Sequence, residues 1–224
     1  MYDIRHVKLW VLDGTLSVNF KSMLKPNTND SVIRNALKRE LAAVHADDKR
    51  VRIIEEFGLM HGAARIDVAV VNGILHGYEI KSDRDTLFRL PDQMQVYNSV
   101  FDQVTLVVGK SHIFEAINTV PDWWGIRIAK VMPDHSVAFY VIRESRENTH
   151  QNSLSIARLL WRQEALDILE QRGEARGLRS KSRTSIYERL SNIFDQRTLA
   201  EKVREAIFIR QEWRPDAPLV LNGG

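Results

Sequence analysis

The chain has 224 residues, 44% of them hydrophobic, with 32 basic and 29 acidic side chains and a net charge of +3. That is enough apolar material for one good core and too much for a disordered chain; with charges so nearly balanced, any nucleic-acid-binding surface has to be local. Cysteine is absent, which excludes disulfides, thiol catalysis and zinc–thiolate sites, and with no long apolar run and no signal-peptide core a cytoplasmic protein off the membrane is expected.

Residues 1–28 read as an N-terminal extension, with a short strand or helix at 7–11 and a loop over 21–29 around Pro26. Asn29-Asp30-Ser31 then supplies a helix start. Ile33, Ala36, Leu37, Leu41 and Val44 follow as an apolar stripe at helical spacing. Glu40 falls inside that stripe, where an acid needs a partner. It either completes a metal site or pairs with Arg39 or another base.

Residues 51–59 alternate as a first core strand, with Glu55 on the face of Val51, Ile53 and Phe57. Glu55 is the second choice for an extra ligand. His61-Gly62 marks the turn into the next strand, with His61 near enough to matter.

Residues 65–97 carry the chemistry. Residues 66–71 and 74–81 alternate like two half-buried strands around Asn72-Gly73. A two-residue turn would set Glu79 and Lys81 among Ile66, Val68 and Val70, a costly burial of charge. A three-residue turn over 71–73, with Gly73 left-handed, pairs Val70 with Ile74 and is the expected register. It puts Ile66, Val68, Val70, Ile74, Tyr78 and Ile80 on one apolar face. Asp67, Ala69, Gly77, Glu79 and Lys81 share the other. Two carboxylates and a lysine so placed can hold magnesium or manganese beside a phosphate, with the lysine orienting water or offsetting charge. Arg65, two before Asp67, either contacts phosphate or pairs with a structural acid.

Residues 82–86 lead into a helix. Asp85 looks like an N-cap, and Pro91 fits a first turn, so the helix proper starts at one or the other. Arg89, Gln93 and Tyr97 lie four apart and make one stripe.

Here the chain resembles a known group. The string D-x(11)-E-I-K from Asp67 through Glu79 to Lys81 resembles the signature of the PD-(D/E)XK phosphodiesterase superfamily, with Ile66 where that signature has proline. Gln93-x-x-x-Tyr97 resembles the motif that follows the site in the branch containing RecB-type and phage exonuclease domains. The run from Gly77 to Gly109, with residues 121–125 later, is similar to an uncharacterised bacterial family of this superfamily. The resemblance covers about residues 30–142. It implies that Asp67, Glu79 and the Ile80 carbonyl ligate Mg2+ or Mn2+ and that Lys81 positions the attacking water. Gln93 and Tyr97 then brace the site or touch the substrate backbone. It also implies DNA as the substrate, and that an acid on the first core helix, here Glu40, often completes the site.

Beyond this stretch, 104–108 reads as a buried strand, 113–120 as a short helix, and 124–132 and 136–142 as two strands around Pro133-Asp134. Trp123 and Trp124 stack on bases or pack in the core. Residues 154–171 read as one helix ending near Gly173, with two more at 185–194 and 198–210. Between them stand five bases, Arg172, Arg176, Arg179, Lys181 and Arg183. They are either a solvated linker or phosphate contacts beside a helix-turn-helix-like unit over 182–194.

The expected fold is α/β: a restriction-endonuclease-like mixed central sheet flanked by helices, in a helix–three strands–helix–strand order, with a helical C-terminal region. The expected division is 1–28, 29–150 and 151–224. The expected function is a magnesium-dependent nuclease acting on DNA. The alternatives are a non-catalytic nucleic-acid-binding module on the same fold, or a subunit whose C-terminal helices make a homo-oligomer, recruit a protein partner or brace the sheet.

Overall fold

The computed structural model describes residues 10–12, 15–17 and 28–210. Trp10–Leu12 (β1) and Thr15–Ser17 (β2) form an antiparallel pair. The rest of the expected element at 7–11, and nearly all of the expected loop at 21–29, lie outside the described residues.

Asp30–Val44 (α1) opens the main unit, and its N-cap Asn29 accepts from the Val32 N–H at 3.1 Å. Three strands follow, Arg52–Leu59 (β3), Ala64–Val71 (β4) and Leu75–Lys81 (β5). Next come Leu90–Val100 (α2), Gln103–Val108 (β6) and Ile113–Thr119 (α3). Gly125–Val131 (β7) and Val137–Arg143 (β8) complete one six-stranded sheet in the order β3-β4-β5-β6-β7-β8. The β5–β6 and β6–β7 pairs are parallel and the others antiparallel. This is the expected mixed α/β architecture and element order.

The sheet is covered on both faces. Ile33, Leu37 and Leu41 of α1 pack with Val68, Val70, Tyr78 and Ile80 on one side. On the other, Tyr97, Val100 and Phe101 pack with Ala69, Val71 and Leu106. Val44, expected in the α1 stripe, is 70% exposed because the helix ends beyond the sheet's cover.

The C-terminal helices are Ser153–Ala157 (α4), Arg162–Gln171 (α5), Arg183–Ile193 (α6) and Gln196–Ile209 (α7). Their buried residues, among them Ile156, Leu169, Tyr187 and Val203, belong to the same core as the α2 face of the sheet. The tail therefore braces the sheet. The single helix expected over 154–171 is two, because the local backbone has other partners. Tyr187 donates to the Leu160 carbonyl at 2.9 Å, Arg210 donates to the Leu159 carbonyl at 3.2 Å, and Glu164 accepts from the Trp161 N–H as a fresh N-terminal cap. Among the described residues no helix is long and apolar enough to cross a membrane.

The hairpin between β4 and β5 differs from expectation by two residues. Val71 pairs with Leu75, and the loop is 72–74, with Gly73 at φ +91°. This register buries both Val71 and Leu75, leaves Ile74 37% exposed at the turn, and ties the Leu75 N–H to Asp102 at 2.6 Å. A slip of two keeps every side chain on its face, whereas a slip of one would have inverted them.

Two side chains do change face. Ile66 packs with Ala69 and Val71 rather than with Val68 and Val70, and Phe57 likewise leaves the side of Val51 and Ile53. The alternation breaks at Glu56, whose φ is +50°, and β4 loses its regular partner in β5 beyond Val68. A non-glycine residue in the left-handed region marks a local departure from strand geometry. Here it turns both strands over just where Asp67 sits.

Candidate active site

Glu79 and Lys81 share the α2-facing side of β5 and are 2% and 6% exposed. Gly77 precedes them on that side because nothing larger fits. A Cβ there would lie 2.5 Å from Ile66 Cδ1 and 3.1 Å from the Phe101 ring. Lys81 Nζ donates to Glu79 Oε1 at 2.5 Å and to Gln93 Oε1 at 3.0 Å. Gln93 Nε2 in turn donates to Glu79 Oε1 at 2.8 Å and to the Tyr97 hydroxyl at 3.2 Å. The spacing of four on α2 puts Gln93 and Tyr97 one above the other, so both reach the same carboxylate. Charge-assisted hydrogen bonds of this kind fix a buried ion pair that would otherwise be costly.

Tyr97 carries one proton and faces two acceptors, the Arg65 carbonyl at 2.7 Å and Glu79 Oε2 at 2.8 Å. Burial, then the Glu79 carboxylate beside it, hold its hydroxyl far above the ordinary phenol range, so it stays a donor. One proton cannot serve both oxygens.

Asp67 lies at the parting of β4 and β5, where one further step of the register brings it level with Glu79. Its Oδ2 accepts from the Ile80 N–H at 2.7 Å, and its Oδ1 accepts from Arg34 Nη2 at 2.8 Å. Burial, and next the Glu79 carboxylate, push the Asp67 carboxyl up to about 7, against the pull of the Ile80 N–H and Arg34. In an extended strand the N–H and C=O of one residue point to the same side, so the Ile80 carbonyl faces the same gap as its N–H.

The other expected site residues divide. Arg65 is half exposed, with Nη1 3.6 Å from Glu56 Oε2, so it stands with an acid at the rim. Arg89 is the exposed N-cap residue of α2, one turn before Gln93. Asp85 caps the preceding turn instead, accepting from the Ser82 N–H and hydroxyl at 2.7 and 2.6 Å. Glu40 is not in the site: it pairs with Arg127 of β7. Glu55 pairs with Lys38 of α1. The side chain of His61 lies outside the described residues. Trp124 is fully buried, with Nε1 donating to Asn98 at 2.8 Å, and Trp123 packs edge-on against it. Of the linker bases, Arg179 pairs with Glu170, and Arg172 lies over the Phe194 ring.

A family model for bacteriophage P4 protein cII matches residues 6–219. The chain belongs to that phage P4 cII family. It is 32% identical over 121 residues to protein cII of Enterobacteria phage P4, covering 54% of this chain and 46% of that protein. The match therefore spans about half the length of that cII relative. Among solved structures it is similar to the SPO1766 protein of unknown function from Silicibacter pomeroyi, at 18% identity and a TM-score of 0.39, over 67% of this chain and 92% of that one.

In this cII-family chain the residue that sequence reasoning missed is Arg34. It reaches from α1 to Asp67, to Asp30 at 3.0 Å and to Glu56. One guanidinium thus stands among three carboxylates at the head of the site. The only sequence signal was the Asp30–Arg34 spacing of four, which many surface helices share. Among the described residues no three acidic or histidine side chains converge as a ready-made metal cage.

Proposed function

We propose that this chain is a metal-dependent phosphodiesterase of the PD-(D/E)XK type that hydrolyses nucleic acid, with DNA as the first substrate to test, in the cytoplasm. One observation carries the reading. Glu79 and Lys81 are buried side by side, clamped by Gln93 and Tyr97, with Asp67 level with them across parted strands. Buried acids with a shifted carboxyl beside a lysine are what hydrolytic sites use.

The donor set suits a hard divalent ion. Asp67, Glu79 and the Ile80 carbonyl would hold it, and magnesium commonly takes one or two carboxylates and keeps water in its other positions. Such an ion, when bound, supplies polarisation of a phosphoryl oxygen and a lower pKa for water. The protein does the rest. Lys81 uses two of its three N–H donors on Glu79 and Gln93, which leaves the third to hold and orient a water. Tyr97 fixes Glu79, and Gln93 fixes both Glu79 and Lys81. A cation at Asp67 competes with Arg34, whose guanidinium keeps Asp30 and Glu56 as partners.

A second reading rests on that same arginine. If Arg34 keeps Asp67, the fold is a nucleic-acid-binding module without turnover.

The test is cleavage of circular single-stranded and circular duplex DNA with Mg2+, Mn2+ or EDTA, running Glu79→Ala and Lys81→Ala beside the wild type. Circles have no ends, so cutting reports internal hydrolysis. The expected result is metal-dependent cutting lost in both variants. Survival of circular and linear DNA and RNA alike, or cutting unchanged in the variants, overturns the nuclease reading.

A further inference from the structure

Phe88 is 89% exposed, the most exposed of the large apolar side chains described. It does nothing for the fold. Its neighbours Leu87 and Leu90 are 4% and 0% exposed, and they anchor a turn closed by Leu90 N–H to Leu87 carbonyl at 2.9 Å. The turn lifts Phe88 and Arg89 into solvent. The preceding loop is tied down by Ser82 to Asp85, and by Asp83, which accepts from Thr28 and Ser111 at 2.8–2.9 Å. Gly109 lets the β6 end approach this loop: a Cβ there would lie 2.6 Å from the Asp83 nitrogen. Phe88 is therefore held out one residue before Arg89, the N-cap of the helix that carries Gln93 and Tyr97. Arg84 and Arg89, also exposed on this loop, have no ion-pair partner among the described residues.

An exposed aromatic ring on the same loop as two exposed guanidinium groups suits a nucleobase face next to its phosphates. A duplex keeps its base faces in the stack, so the matching base is unpaired. We propose that Phe88 stacks on an unpaired base beside the start of the helix that carries Gln93 and Tyr97, with Arg84 and Arg89 on the adjoining phosphates, and that the chain prefers single-stranded nucleic acid or frayed ends. This rests on the nucleic-acid reading above and adds the strand state of the substrate.

The test is fluorescence anisotropy of the full chain in EDTA, with a labelled oligothymidylate and a labelled blunt hairpin duplex. Phe88→Ala removes no buried contact, so the fold is not at stake. The expected result is about tenfold weaker binding of the single strand by Phe88→Ala, near wild-type binding by Phe88→Trp, and unchanged binding of the duplex. Equal affinity of wild type and Phe88→Ala for the single strand, or no binding of it by the wild type, overturns the inference and leaves Phe88 to a protein partner. Cleavage is scored separately. Binding through Phe88 without any cutting removes only the nuclease reading, and cutting with an indifferent Phe88 removes only this inference.

Discussion

Arg34 Nη2 donates to Asp67 Oδ1 across 2.8 Å, so an arginine from the first helix occupies the acid that opens the site. Asp30 and Glu56 hold the same guanidinium. The arrangement keeps a partly buried carboxylate neutralised without a metal, and any cation that enters must displace it.

Replacing Arg34 with alanine has two consequences of opposite sign. Three carboxylates lose their shared counter-ion, so the fold weakens by about 2 kcal/mol, read from urea denaturation at neutral pH. The repulsion felt by an incoming cation also falls, so Mn2+ binds several-fold more tightly in calorimetry. Arg34→Lys restores the charge but not the fork, and should recover stability only in part.

Tyr97→Phe removes a hydroxyl that stands between the Arg65 carbonyl and Glu79 inside a fully buried residue. Leaving those acceptors unserved costs about 1–3 kcal/mol. The loss should appear as a lower midpoint in urea with an unchanged slope. Because Glu79 loses an anchor, metal-dependent cleavage should fall as well, and not recover in Tyr97→Trp.

The polar cluster on the other face gives a pH prediction. Burial, then the Arg127 charge, push the His76 imidazole down to about 4, and its nitrogens bond Thr105 at 2.9 Å and the Tyr78 hydroxyl at 3.3 Å. The folded value lies below the unfolded 6.5, so the unfolded chain binds more protons between these limits and stability rises with pH across the window. Acidification from about 6.5 to 4 should remove up to about 3 kcal/mol. In His76→Gln, unfolding followed by circular dichroism should show a flatter pH dependence in that window.

Gly77→Ala drives a methyl against Ile66 and Phe101. Overpacking of this kind costs about 1–3 kcal/mol, partly offset by the stiffer unfolded chain. Since Ile66 adjoins Asp67, thermal stability and metal affinity should fall together. A variant stable as wild type would show that the two strands yield more easily than their packing indicates.

The sequence exposed what is local. Glu79 and Lys81 are two apart on a strand, and Gln93 and Tyr97 four apart on a helix, so each pair shares a face by periodicity alone. The hairpin faces were legible because a register error of two leaves them intact. What escaped depends on distant partners or on rare backbone. Glu56 at φ +50° turns β3 and β4 over, and no residue type there announces it. Glu40 was open to a metal or to a base because its partner, Arg127, lies far along the chain. Arg34 reads as an ordinary helix residue until α1 is laid over the sheet. The split between α4 and α5 follows from Tyr187 and Arg210 capturing carbonyls that a helix would have used.

Whether Asp67 and Glu79 together take a divalent ion can be tested without knowing the substrate. Mn2+ titrated calorimetrically into wild type, Asp67→Asn and Glu79→Gln is that measurement. The wild type is expected to bind Mn2+ saturably, and both variants to have lost that binding. Wild-type protein that binds no Mn2+, or variants that bind it as well as wild type, would contradict it.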